Sequence, residues 1–313
     1  MEKKPILKVS DFGVAFAQYA KGIQAFNLEV ITNLDIELYP GEILAVVGSS
    51  GSGKSLLAHG ILGILPENAM CSGHMYYDNK EIKQTDKERL RGKDIVLIPQ
   101  SVNYLDPLEK VGSQIDVSLR GRSKQERRRT AIDMLARYGL CEEVYDMYPH
   151  QLSGGMARKV LLCTALAAGA KVIIADEPTP GLDDASLQEV LKDVRALADE
   201  GMALLMITHD INAACKIADK IAIFYAGSTL EIASASDMSG DGEKLRHPYT
   251  KALWRAVPSN KFEAIEGTQP MPGELPAGCL FSERCPKKTA ECCMARPPMK
   301  ELRCGKVRCF HAT

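Results

Sequence analysis

Apolar residues occupy Leu28, Val30, Leu34, Ile36 and Leu38, and this even-numbered spacing predicts a strand with one buried face. A shorter strand is expected over Ile6 to Val9. Tyr39-Pro40-Gly41 forms the turn into the apolar run Glu42 to Val47, which reads as a buried strand. From roughly Leu105 to Gln151 the period lengthens. Ala131, Ile132, Leu135 and Tyr138 stand at helical spacing behind Ser123-Lys124-Gln125-Glu126, a capping box. Strand and helix then alternate: Lys171 to Asp176, a helix from about Asp184 to Glu200, Met202 to Thr208, a short helix, and Lys220 to Tyr225. That alternation predicts a mainly parallel sheet with helices on its faces. Pro and Gly then become frequent, and a distinct tail begins near Arg246.

Chemistry concentrates where the run Glu42 to Val47 ends. Gly48, Ser49, Ser50, Gly51, Ser52, Gly53, Lys54 and Ser55 follow the pattern G-x-x-x-x-G-K-S between a predicted strand and a predicted helix. A glycine-rich turn there aims backbone N–H groups at phosphate oxygens, and the helix N-terminus attracts the same charge. Lys54 would reach the β and γ phosphates of a nucleoside triphosphate, and Ser55 would ligate Mg²⁺.

About a hundred residues on, Gln151-Leu152-Ser153-Gly154-Gly155-Met156 opens a helix shortly before Val172-Ile173-Ile174-Ala175-Asp176-Glu177. Asp176, closing an apolar strand, is placed to support Mg²⁺, and Glu177 to act as the general base that polarises an attacking water. Ser153 reads as an N-cap, and Gly154 and Gly155 leave the helix start open to a γ-phosphate carried by a partner.

With these motifs in this order, the chain resembles the ATP-binding subunits of ABC transporters along nearly all its length. The resemblance implies an α/β P-loop NTPase fold (ABC ATPase) with a mixed, mainly parallel sheet, a helical subdomain and a small Cys-rich C-terminal extension. It divides the chain into a nucleotide-binding domain at 1–245, with the helical subdomain at about 105–165, and an extension at 246–313. It also gives roles to Gln100 (Mg²⁺, water and coupling to the membrane), His209 (γ-phosphate) and Asp183 (signalling across a dimer). Phe16 and Tyr19 lie where the family places a ring on adenine, and Tyr19 is the choice carried forward; either also reads as an ordinary core or surface aromatic. Two cassettes would close head to tail, each presenting Ser153, Gly154 and Gly155 to the other's ATP.

Composition narrows the class. The 313 residues are 45% hydrophobic and 25% charged with a net charge of −1, which fits a globular protein and gives no global reason to expect a nucleic-acid partner. No apolar run approaches the ~20 residues of a membrane-spanning helix, so a transport role requires the membrane path to belong to other polypeptides. The expected setting is the cytoplasmic face of the cell membrane, as a peripheral subunit.

The tail narrows it further. Arg246-His247-Pro248-Tyr249-Thr250-Lys251-Ala252-Leu253 resembles the extension of the oligopeptide, dipeptide and nickel importer ATPases. Six of the ten cysteines fall between Cys279 and Cys309, and in a reducing compartment such crowding favours a metal or cluster over disulfides. Cys279, Cys285, Cys292 and Cys309 have the spacing C-x₅-C-x₆-C-x₁₆-C; by resemblance this holds a [4Fe–4S] cluster, while four thiolates also suit Zn²⁺. Free or redox-active thiols are the third reading, and Cys293 and Cys304 are further candidate ligands.

The function implied is the ATP-hydrolysing subunit of an importer for di- or oligopeptides or nickel. Its partners would be a second ATPase subunit (a distinct homologue), two membrane permeases and, indirectly, an extracytoplasmic solute-binding protein. The alternative is a soluble, non-transport ABC ATPase acting on nucleic acid or ribosomes; such proteins usually carry two cassettes or a long coiled-coil insertion, and neither is present.

Overall fold

The structure is a computed structural model that describes residues 3–19, 25–49, 51–179 and 184–313. The strands are β1 (Leu7–Tyr19), β2 (Ala25–Leu38), β3 (Ile43–Val47), β4 (Ala69–Tyr77), β5 (Lys80–Glu81), β6 (Ile95–Ile98), β7 (Val172–Asp176), β8 (Ala203–Thr208), β9 (Lys220–Tyr225), β10 (Ser228–Ser234), β11 (Lys300–Leu302) and β12 (Gly305–Val307). The helices are α1 (Lys54–Leu62), α2 (Gln84–Leu90), α3 (Val111–Ser118), α4 (Lys124–Arg137), α5 (Gly154–Ala167), α6 (Asp184–Asp199), α7 (Ile211–Ile217), α8 (Pro248–Ala256) and α9 (Ala290–Met294).

Two sheets organise them. One is antiparallel, in the order β2-β1-β4-β5; the other runs β11-β12-β10-β9-β3-β8-β7-β6. In the second, β9, β3, β8, β7 and β6 are parallel, and β10, β12 and β11 add antiparallel at one edge. The unbroken apolar runs follow from burial on both faces. Ile43, Ala45 and Val47 of β3 pack with the helical side and the tail, while Leu44 and Val46 pack with Leu57 and Ile61 of α1 and with the antiparallel sheet.

The helices follow their local sequence signals. Ser123 Oγ accepts the Glu126 N–H at 3.3 Å and Glu126 Oε2 accepts the Ser123 N–H at 2.8 Å, closing the expected capping box of α4. Ala131, Leu135 and Tyr138 are buried as the spacing predicts, and α3, α4 and α5 pack on one another.

The strand β2 departs from its simple alternation. Leu34, Ile36 and Leu38 face the core, but before them Ile31 is buried while Leu28 and Val30 are only partly so. The cause is a pair of left-handed residues, Asp11 and Asn33, both at φ 50°, with register shifts around Phe12. Asn33 Nδ2 donates to Asp11 Oδ1 at 2.6 Å and the Asp11 N–H to Asp35 Oδ1 at 2.9 Å, fixing a bulge that turns the strand over. The first strand is also longer than the segment Ile6 to Val9 indicated. Among the described residues no helix is long and apolar enough to cross a membrane.

Candidate functional site

The parallel strands β3, β8 and β7 lie side by side, so the residues leaving their C-terminal ends meet at one edge. From β3 the chain turns through Gly48. A Cβ there would lie 2.6 Å from the Phe224 carbonyl oxygen, so only glycine lets the loop pass β9. Gly53 enters α1 at φ 93°, a left-handed conformation that glycine adopts freely. Lys54 is buried, and its Nζ donates to the Gly48 and Ser49 carbonyls, both at 2.9 Å. Burial lowers the Lys54 pKa, against the opposing pull of Glu177 and Asp176. Ser52 Oγ is buried with no hydrogen-bond partner among the described residues. Ser50 lies outside the described residues.

From β7 come Asp176 and Glu177, and from β8 His209. Ser55 lies beside Asp176 and favours its charged form, and the Asp176 Oδ1 is buried without a hydrogen-bond partner among the described residues. Burial raises its pKa, with the neighbouring Glu177 charge adding to the effect and Ser55 opposing it. Glu177 sits at φ 47°, its N–H bonded to the Ile207 carbonyl at 2.8 Å. That turn aims its carboxylate at His209, whose Nδ1 lies 2.6 Å from Glu177 Oε2. His209 itself is half exposed, held by α7, where Asp210 Oδ1 caps the N–H groups of Asn212 and Ala213 at 2.8 and 3.1 Å.

The remaining expected residues are spread more widely. Ser153 caps α5, accepting the Met156 N–H at 3.2 Å. A Cβ at Gly154 or Gly155 would meet nothing within 4 Å among the described residues, so packing inside this chain does not demand glycine there. Gln100 is exposed just beyond β6. Phe16 packs at the margin of the core between the sheets. Asp183 and the side chain of Tyr19 lie outside what the structure describes.

In the tail, Cys279, Cys292 and Cys309 are buried and Cys285 half-buried, whereas Cys293 and Cys304 are exposed. Burial pushes the Cys279 thiol up to about 11 and raises those of Cys285 and Cys309. The four also lie in one another's electrostatic field. All ten cysteines are free thiols, and among the described residues no three His, Cys, Asp or Glu side chains converge as ligands for a metal ion.

Sequence reasoning missed how the tail is fixed. Arg246, 2% exposed, pairs with Glu231, 0% exposed, at 3.2 Å and with Asp237 at 2.9 Å. The Arg246 Nε also donates to the Leu302 carbonyl at 2.6 Å. The Arg246-His247-Pro248-Tyr249 stretch flagged the place, but a buried Glu partner fifteen residues upstream carries no local pattern.

Comparison with known proteins gives two family matches: "ABC transporter" over residues 31–180, and "Oligopeptide/dipeptide transporter, C-terminal region" over residues 230–292. The oligopeptide transport ATP-binding protein AppD of Bacillus subtilis is 32% identical over 97% of this chain and 96% of its own length. The dipeptide transport ATP-binding protein DppD of Escherichia coli is 33% identical over 98% and 96%. Among solved structures, cbiO1 of Clostridium perfringens, part of the ABC transporter complex cbiONQ, superposes with a TM-score of 0.62 at 27% identity, covering 75% of this chain and 90% of that one. The dimeric MJ0796, a bacterial ABC transporter cassette, gives 0.62 at 28% identity, covering 73% and 98%.

Proposed function

The chain belongs to the ATP-binding subunits of ABC transporters, and from that premise we propose that its ATPase activity drives peptide uptake through separate membrane subunits. The observation that carries the ATPase reading is the meeting of Lys54, Ser55, Asp176, Glu177 and His209 at one edge of the parallel sheet. Relatives similar over nearly their whole length are named for dipeptides and oligopeptides, which supports peptide cargo over nickel.

Each residue then has a task. The loop from Gly48 to Ser55, with Ser50 and the α1 N-terminus, cradles the phosphates, and Lys54 exchanges its two carbonyl bonds for phosphate oxygens. Ser55, Gln100 and Asp176 are the residues that would hold Mg²⁺, which when bound neutralises charge on the phosphates. The unpartnered buried Oδ1 of Asp176 supports that fit. Glu177 takes a proton from the attacking water, and His209 holds the Glu177 carboxylate in line and reaches the γ-phosphate. Tyr19 stacks on adenine, and Asp183 communicates with a second cassette.

The open space at Gly154 and Gly155 supports a head-to-tail pair, with Ser153 and these glycines serving the other cassette's ATP. ATP then favours closure, and loss of the γ-phosphate permits reopening. The second ATPase subunit is a distinct homologue; two permeases form the path, and a solute-binding protein delivers cargo outside. The subunit works at the cytoplasmic face of the membrane. Residues 1–245 form the motor, with the helical subdomain at about 105–165, and 246–313 the extension.

Cys279, Cys285, Cys292 and Cys309 are the residues that would hold a [4Fe–4S] cluster, which when bound cross-links the tail. A single Zn²⁺ needs its thiolates within about 2.3 Å of one point. A cluster spreads its ligands over several irons. The mutual electrostatic influence of these four thiols is what supports the reading.

The test is the purified transporter carrying Glu177→Gln. It is expected to bind ATP while turnover falls on the order of 10²-fold or more. Unchanged turnover would remove Glu177 from its role. Uptake of labelled di- and oligopeptides and of nickel, in cells lacking this subunit, tests the cargo.

A further inference from the structure

We infer that the C-terminal extension is part of the nucleotide site: residues 265–269 form a strap that holds the phosphate loop through Gln269, and Arg284 locks that strap from the thiol-bearing turn. The inference rests on the nucleotide reading of residues 48–55.

Three contacts carry it. The Ser49 hydroxyl donates to Gln269 Oε1 at 2.9 Å, joining residues 220 apart in sequence. Three and four residues upstream, the strap offers its backbone to Arg284, whose Nε donates to the Glu266 carbonyl at 2.7 Å and Nη2 to the Ile265 carbonyl at 3.2 Å. The third Arg284 bond, from Nη1 to the Tyr225 hydroxyl at 3.2 Å, ties it to the end of β9. That strand end abuts the phosphate loop, because the Phe224 carbonyl is what excludes a side chain at Gly48. The guanidinium therefore grips both supports of the loop, the strap on one side and β9 on the other.

Arg284 is itself held in place. It closes the short helical turn Ser282–Arg284 between Cys279 and Cys285, with its N–H on the Phe281 carbonyl at 3.1 Å. Its guanidinium lies 5.8 Å from the Phe281 ring centre and 5.9 Å from that of Tyr225. Gly267 fits against its side chain, where a Cβ would stand 3.4 Å from Arg284 Cγ. With the phosphate loop pinned at Ser49 before nucleotide arrives, less ordering remains to be done on binding. Gln269 and Arg284 are positioning residues in this scheme; neither needs to touch the nucleotide.

The test is affinity of the full chain for the non-hydrolysable analogue adenylyl imidodiphosphate. Gln269→Ala lies on a partly exposed strap, so folding is not at stake, and it is expected to weaken binding about three- to tenfold, the worth of one hydrogen bond. Arg284→Lys keeps the charge but not the two-carbonyl grip, and is expected to give a similar loss. The double variant should bind no more weakly than the weaker single variant, because both break one linkage. In the assembled transporter KM for ATP should rise with kcat unchanged within about twofold. Single variants that bind within twofold of the unaltered chain, losses that multiply in the double variant, or a fall in kcat at constant KM would overturn the inference. Failure of the unaltered chain to bind the analogue would instead overturn the nucleotide reading itself.

Discussion

Asp176 carries an electrostatic cost in the folded chain. Its carboxylate is buried, has an unpartnered oxygen among the described residues, and holds a proton more tightly than an ordinary aspartate at 3.8. The folded, nucleotide-free protein therefore binds more protons than the unfolded chain just above that value, and stability falls as pH rises through the raised pKa. Asp176→Asn removes the buried charge. At pH 7.5 without nucleotide its Tm is expected to rise by about 2–4 °C, the shift for roughly 1 kcal/mol, while Mg²⁺-dependent ATP turnover falls on the order of 10²-fold. Calorimetry and a phosphate-release assay measure the two halves; a lowered Tm would contradict the first. Lys54 makes the complementary compromise, satisfying a buried ammonium with two loop carbonyls. These residues were legible in the sequence because their motif fixes both identity and spacing. Glu177 to His209 was not legible as a pair, since β8 meets β7 only in the folded sheet.

At the scale of elements, capping and periodicity served well where the interaction is local. Ser123, Ser153 and Asp210 each cap the helix that follows, within three residues of the N–H they accept. The strand β2 fails the same logic because its face is reset by Asp11 on a neighbouring strand. The helix α8 shows a local cap with a tertiary consequence. His247 Nδ1 accepts the Tyr249 N–H at 3.0 Å, while full burial lowers the imidazole pKa to about 3. Its Nδ1 acts as acceptor, so the buried ring is neutral. As pH falls below the ordinary 6.5 the unfolded chain takes up a proton that the folded one refuses, so this stability is complete above 6.5 and is lost progressively toward 3. His247→Asn keeps an N-cap acceptor and removes the titration. Between pH 7 and 5 its Tm should fall less steeply than that of the unaltered protein; equal slopes in thermal melts would refute the assignment.

At the scale of the whole molecule, the C-terminal segment is joined to the rest of the chain by a buried ion pair and a shared sheet. β12 pairs with β10, and Arg246 binds Glu231 on that strand and the Leu302 carbonyl of β11 at once. A Cβ at Gly305 would stand 2.6 Å from Arg246 Cζ, so a side chain there would have to displace the guanidinium from its partners Glu231, Asp237 and the Leu302 carbonyl. Arg246→Ala strands Glu231 in the core and is expected to cost about 3 kcal/mol or more. Faster hydrogen exchange in β11 and β12 than in β3 would follow; equal protection of both would count against the role. The sequence by itself determined the strand and helix periods, the nucleotide motifs and the crowding of thiols, because each is set by residues close along the chain. Only the tertiary structure decided which face of β2 turns inward, which carboxylate meets which histidine, and how the tail reaches the loop at Gly48 to Ser55. Those depend on contacts between residues tens to hundreds of positions apart, where identity at one position gives no local sign of its partner and only the packing of the sheets brings the two together.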